Sequence, residues 1–538
     1  MIDGHVFHDW YGDWCCARAF LLTEHILSSD GCVCVSFLTT KEDVEHINLM
    51  TADLGLFQTP LLFQVLFSTP RQILFPPGGA ALFARSAASR CMTRPSCCIV
   101  GAGASGLLSA ALLGERGWRV AVYEARDRVG GRCAGGTLGG IPVDLGAEFS
   151  HGRGPVFDLC AAAGLAPPRP LVDYAEDAPE ALRVRLYSDG ALVDGNGRDV
   201  AATLRMRECW DDVLCDDSWA SDARADTTFA DLASTLPPSA QRAMDAFMAV
   251  EYATSLEDLG VKEWRRREHF FDARDCSTDF HMEGQYAAAM VALAQRAAAA
   301  GASLHLRRPV GVVAASDGCV RVDGEAFDCA VVTVPLPVLA SGALGLRGVR
   351  CGLLEAARRV KCHGASKVML QLSHKVWERR SGEPATEGRW GELLLCSDEE
   401  SFARQVWLRE AAGGVFIAAG FLAGPRDSAL CEALTTEEAA ERLLGQLRAV
   451  YGMGEELQAL DAIKVDWGSD PFSQGGYTSP SVGGCGVWRE LRDSGCDRLL
   501  LAGEAVGERG STVCSALESA EWAAARLDRT FGSRAVAD

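Results

Sequence analysis

Three glycines and one acid carry the first recognisable chemistry in this sequence. Gly101, Gly103 and Gly106 stand in G-x-G-x-x-G spacing, and Glu124 follows about 20 residues later. That set suits a dinucleotide. The first glycine allows a tight turn, the second lets the backbone approach a pyrophosphate, and the third lets a helix pack closely on a strand. The acid accepts ribose hydroxyls and would repel the 2′-phosphate of NADP. Such groups work only if local structure places them. Cys97 to Val100 is a short apolar run suited to a buried parallel strand. A helix from about Ser105 to Arg116 would aim its first N–H groups, Ser105 among them, at the phosphates. Arg119 to Glu124 reads as the second strand, with the acid closing it.

Two further runs, RDRVGGRCAGG and VDLGAEFSHG, follow at once. Together with the glycine turn they resemble the flavin amine oxidases, a family that includes monoamine oxidases, polyamine oxidases and flavin-dependent histone lysine demethylases. The resemblance implies FAD. It places Gly131 and Arg132 beside the pyrophosphate and Gly146, Ala147 and Glu148 against the flavin ring. It matches His151 to a histidine at the substrate mouth of animal polyamine oxidases.

Four later motifs keep the family's order. GQYAAAMVALAQRAAAA, from Gly284, is an alanine-rich helix pattern; its GQY stands where the family has GGY, so Gln285 departs. Val310 matches a position whose backbone contacts the adenine, and AVVTVPLPVL ends that segment. GASKVMLQL alternates as a strand, with Val368, Leu370 and Leu372 on one face and Lys367, Met369 and Gln371 on the other. The family's lysine at the Lys367 position holds a water against flavin N5. In VDWGSDPFSQGGYTSP the resemblance puts Trp467 near the flavin and Tyr477 on the substrate side as an aromatic wall. Gly476 replaces the cysteine that bonds flavin in monoamine oxidases, so the expected FAD is non-covalent. In RLLLAGEAVGERGSTVC, Gly503 and Glu504 match the ribityl-binding signature. Thr512 and Val513 match the helix N-terminus under the flavin pyrimidine. Thr512 also stands where monoamine oxidases carry a second cage tyrosine, which leaves half a cage.

The expected fold is an α/β FAD-binding Rossmann-like domain built from discontinuous segments (93–153, 282–345 and 491–530). An inserted α+β substrate-binding domain supplies a helical part at 154–281 and a sheet part at 346–490, and 531–538 is a tail. A length of 538 residues permits roughly two to four domains. The implied reaction passes a hydride from the carbon α to an amine to flavin N5, followed by imine hydrolysis and reoxidation by oxygen to hydrogen peroxide. The expected partners are therefore a small amine, of polyamine type, and oxygen. The runner-up readings are a protoporphyrinogen- or carotenoid-type oxidase or desaturase, and a flavin-binding protein without turnover.

Composition narrows the partners. A net charge of −20 disfavours nucleic acid and anionic membranes. It suits a cationic substrate and equally an ordinary soluble surface. Between Glu208 and Asp231 eight acids face the single base Arg224, either a polyamine-steering surface or a solvated helix face. The 21 cysteines include no C-x-x-C pair, so no metal is called, and the thiols are read as mostly reduced in an intracellular compartment, cytoplasmic or organellar. No apolar run is long enough for a membrane span. Residues 1–92 read differently from the rest. From Leu54 to Gly114 there is no acid, while Arg71, Arg85, Arg90 and Arg94 are present. A transit-like segment, a true start at Met92 and a plain extension all fit.

Overall fold

A computed structural model describes residues 94–170, 183–194, 213, 216–220, 225–272, 279–377 and 390–532. The N-terminal extension with Met92, and much of the 208–231 acidic run, lie outside them.

The apolar run becomes the strand Ser96–Val100, buried at every residue. It lies at the centre of a five-stranded sheet, between Arg119–Tyr123 and Cys329–Val332. Ser303–His305 and Leu499–Leu501 form the two edges, and every pairing is parallel. Strands buried on both faces need no alternation, which is why CCIV and LLL read as continuous apolar runs. One face packs against the helices Ala104–Glu115, Tyr286–Ala299 and Val513–Phe531 through Leu107, Leu113, Met290, Leu293, Leu517 and Leu527. The other face packs against a four-stranded sheet and short helices through Val313, Val322, Leu336, Leu353 and Leu491. The doubly covered sheet is thus assembled from chain segments hundreds of residues apart.

A second, seven-stranded sheet runs Ala459–Asp466, Ala365–Leu372, Val415–Ala423, Gln405–Ala411, Trp390–Cys396, Arg183–Ser188, Ala191–Asp194. The last two strands come from the stretch expected to be helical. That stretch does hold helices, including Pro155–Ala162 and Val261–Asp272, but it also gives this hairpin to the sheet. Along Ala365–Leu372 the alternation holds. Val368, Leu370 and Leu372 pack under the helix Thr436–Tyr451, whose Thr435 and Glu438 form a capping box. Met369 packs the other way, against Leu138 and Val143 of the hairpin Gly135–Asp144. This face also presents Lys367, and it therefore meets the cofactor-binding segments.

Candidate active site

The glycine turn shows three different constraints. Gly101 has φ +105°, and a Cβ there would lie 2.7 Å from Thr333 Oγ1. A Cβ on Gly106 would sit 2.0 Å from the Gly101 carbonyl oxygen. A Cβ on Gly103 would meet nothing within 4 Å. Gly103 is also the N-cap of the helix, which has no side-chain cap and no acid in its first turn. The open face and free helix terminus suit an anion approaching the backbone. Beside the turn, Gly130 N–H donates to Ala102 O at 2.8 Å, and Gly131 lies against Gly103 at φ +55°.

Glu124 is buried just past its strand. Ala102 N–H donates to its Oε2 at 2.7 Å and Arg126 N–H to its Oε1 at 2.8 Å. These two bonds aim the carboxylate at the turn. Arg308 N–H donates to the Glu124 carbonyl at 2.8 Å, which brings Val310 and its segment alongside. Arg126 also pairs with Asp470 and donates to Ser473 Oγ at 2.9 Å. The Asp-Pro of the later motif thus binds the loop after Glu124.

The Leu145–Glu148 segment is held by main-chain proximity. A Cβ on Gly146 would lie 1.7 Å from the Arg132 carbonyl oxygen and 3.2 Å from Trp467 Cζ2. Ala147 N–H donates to Arg132 O at 3.1 Å and Trp467 Nε1–H to Leu145 O at 3.2 Å. The Arg132 guanidinium, expected beside phosphate, reaches Gly476 O at 2.5 Å and Glu504 Oε1 at 3.3 Å. Glu504 Oε2 further accepts Thr478 Oγ1–H at 2.7 Å and Ser511 N–H at 3.1 Å. Gly503, at φ +140°, has nothing within 4 Å of a would-be Cβ, and its N–H donates to Ser519 Oγ at 2.8 Å. The Ser105 hydroxyl also lies 3.3 Å from Ser519 Oγ, so that side chain joins two segments of the domain while its backbone stays in the helix's first turn. Thr512 caps the closing helix, its Oγ1 accepting Ser515 N–H at 3.0 Å. Val513 begins that helix. The residues present fit FAD: the two open glycines mark where a side chain would fill the cradle, and an oriented acid stands between them and the adenine-side segment.

Glu148, expected against the flavin ring, is bonded to two side chains. Its Oε2 accepts the Lys367 ammonium at 2.5 Å, and its Oε1 lies 3.0 Å from His281 Nε2. Burial alone would raise this carboxyl; Lys367 and the His281 bond outweigh it and hold it well below the usual range. Lys367 also donates to Asp144 O at 3.2 Å. The Asp144 carboxylate accepts Gly284 N–H at 2.8 Å and Tyr286 N–H at 3.1 Å, which caps the alanine-rich helix at Gln285. Burial, with repulsion from Glu148, raises it. Sequence reasoning missed both His281 and Asp144. The only available sign was the strand D-F-H before GQY, whose partner cannot be read locally.

That strand, Asp279–His281, pairs antiparallel with Phe149–His151 and sets His151 opposite Asp279. His151 Nδ1 lies 2.8 Å from Asp279 Oδ1. Burial lowers the imidazole, but Asp279, with Glu251 and Glu268 behind it, raises it to about 9. Tyr477 O–H donates to the Glu251 carbonyl at 2.5 Å. Desolvation pushes the Glu251 carboxyl up to about 8, with Asp279 and Glu268 adding repulsion. The acids gathered around His151 are therefore Glu251, Glu268 and Asp279, none of them in the run singled out from sequence. The described end of that run is structural: Asp231 completes a capping box with Thr228, and Asp226 accepts Gly483 N–H at 2.8 Å. The chain on either side of Glu251 is irregular, with a π-helix at Asp245–Ala249 before it and Ala253 at φ +47° after it. Such departures are frequent at functional sites.

The chain has relatives along most of its length. It is 25% identical over 460 residues to polyamine oxidase 5 of Oryza sativa subsp. japonica, covering 80% of this chain and 86% of that one. It is 27% identical over 480 residues to a lysine-specific histone demethylase 1 homolog of the same organism, covering 82% and 53%. Among solved structures it superposes on cyclohexylamine oxidase from Brevibacterium oxydans IH-35A with a TM-score of 0.64, at 18% identity, over 82% of this chain and 100% of that one. The family model described as flavin containing amine oxidoreductase matches residues 104–528. With the dinucleotide cradle in place, the chain belongs to the flavin-containing amine oxidoreductases and is an FAD-dependent amine oxidase.

Proposed function

We propose that this enzyme oxidises a polyamine or diamine, using non-covalently bound FAD. The observation that carries the reading is the wall around Tyr477, where Glu251, Glu268 and Asp279 gather beside His151. His151 and Asp279 neutralise one another as a pair. Glu251 and Glu268 add two further acidic side chains to this wall, Glu268 accepting Tyr252 O–H at 2.6 Å, and a wall of this composition suits a substrate with a second amine. The aromatic ring of Tyr477 offers the reacting amine an apolar wall.

FAD, which the cradle of Gly103, Glu124 and Gly503 would hold, would supply the two-electron acceptor for the α-hydrogen and its electron pair, with oxygen as the final acceptor and hydrogen peroxide as its product. The protein's share is to bind, orient and dehydrate. The reacting nitrogen must be neutral, and burial beside Tyr477 favours that form. The loss of hydride leaves an imine, which water hydrolyses. Lys367, fixed by Glu148, donates toward the reacting edge and orients a water there. Several features support non-covalent flavin. Gly476 has no sulfur, and a Cβ there would lie 2.5 Å from Ala365 Cβ, so a cysteine would not fit without a shift.

The test is an anaerobic flavin spectrum before and after spermine, N-acetylated spermine or a primary arylalkylamine. Bleaching by a polyamine, reversed by air, is expected. Bleaching by the arylalkylamine alone would overturn the substrate class.

A further inference from the structure

We propose that Glu148 and His281 are positioning residues for amine oxidation, a buried carboxylate and imidazole that fix the Lys367 ammonium from behind and leave it one N–H to offer. The proposal rests on the reading that Lys367 serves the flavin's reacting edge.

The three side chains form a continuous chain: Lys367 to Glu148 at 2.5 Å, and Glu148 to His281 at 3.0 Å. The residues are 7%, 5% and 3% exposed. An ammonium has three N–H donors. One goes to Glu148 and a second to Asp144 O. The far end of the chain fixes its own tautomer. Glu283 N–H donates to His281 Nδ1 at 3.2 Å. Nδ1 is therefore an acceptor, and the proton sits on Nε2, which donates to Glu148. Burial lowers the imidazole's affinity for a second proton, in keeping with a neutral ring. The charged or titratable groups facing this chain are Asp144, Arg409 and Glu283. Glu148 supplies the anion that keeps a buried ammonium charged. Without it, the Lys367 ammonium keeps the Asp144 carbonyl as partner but loses its counter-charge. Glu148 bonds Lys367 directly and His281 reaches it through Glu148, so the effect of both is read at Lys367.

The experiment uses the FAD-loaded enzyme and its Glu148→Gln, Glu148→Asp, His281→Phe, Lys367→Met and Glu148→Gln/Lys367→Met variants. It measures the two-electron flavin potential and the rate of reoxidation by oxygen from pH 6 to 9. Glu148→Gln is expected to raise the potential, since an uncompensated ammonium remains beside the reacting edge, and to slow reoxidation about tenfold. Glu148→Asp should restore both, and His281→Phe should shift both weakly in the same direction. The double variant should match Lys367→Met alone, since the pair acts as a unit. A Glu148→Gln variant with the wild-type potential and rates within about twofold would overturn the proposal. If Glu148→Gln does not fold, His281→Phe decides by the same shift. A Lys367→Met variant with wild-type potential and rates would instead sink the underlying reading of Lys367.

Discussion

The cofactor-binding turn and the proposed substrate wall of this enzyme are built by opposite means. Around the glycine turn, positions are dictated by what cannot be there. A methyl group on Gly106 or Gly146 would overlap a backbone carbonyl, and one on Gly103 would fill the cradle. Around Tyr477, positions are dictated by what side chains and carbonyls hold: Tyr477 to Glu251, His151 to Asp279, Glu148 to Lys367 and His281. Exclusion is a local property with little tolerance. Side-chain networks are adjustable, because each member can be exchanged at a cost of one bond. One side is thus fitted to an invariant ligand, while the other, on the proposed reading, can be retuned for different amines.

The sharpest break in that comparison is Gly106→Val. Its clash with the Gly101 carbonyl is with the protein itself, so a destabilisation above ~4 kcal/mol is expected, read by chemical denaturation. Gly103→Ala should do the reverse. It leaves the melting temperature of the flavin-free protein unchanged, while FAD affinity, measured by fluorescence titration, falls at least about tenfold. Equal effects from the two would remove the distinction between packing and cradle. Lys367→Met comes next. It strands Glu148 in the interior, with an expected loss of ~3 kcal/mol of stability and about 100-fold in the flavin half-reactions measured by stopped flow. Tyr477→Phe removes one bond to the Glu251 carbonyl, for about 1 kcal/mol, and should change kcat/KM for a polyamine less than about tenfold. The smallest effect is a slope with pH. His151 titrates near 9 in the fold and near ~6.5 when unfolded. Its stabilisation is complete below the lower value and disappears as pH rises through the upper one. Glu251, raised to about 8, costs the fold stability as pH rises from its unfolded range, ~4.3, up to about 8, so over that range it acts in the same direction. Melting temperatures should therefore fall from neutral pH to pH 9, and His151→Gln should flatten part of that fall.

Much of the cofactor side was legible because its signals are short in sequence. Gly101 to Glu124 spans one strand–helix–strand unit, and the fold reproduces it with helix bounds shifted by a residue. Lys367 was legible through the alternation of its strand. The partners of Glu148 were not, because they arrive from 219 and 133 residues away. The hairpin Arg183–Asp194 escaped the helical reading because its pairing partner Trp390–Cys396 lies in another part of the chain.

By itself the sequence determined the kind of cofactor and the strand and helix that receive it. Spacing of glycines, an acid at a strand end and an apolar run are local facts, and local geometry follows from them directly. Only the tertiary structure decided which acids surround His151, which one pairs with Lys367, and that Asp144 caps a helix rather than binding a ligand. A carboxylate has the same symbol in every one of those roles. What separates them is the charge and the dryness of surroundings contributed by distant segments.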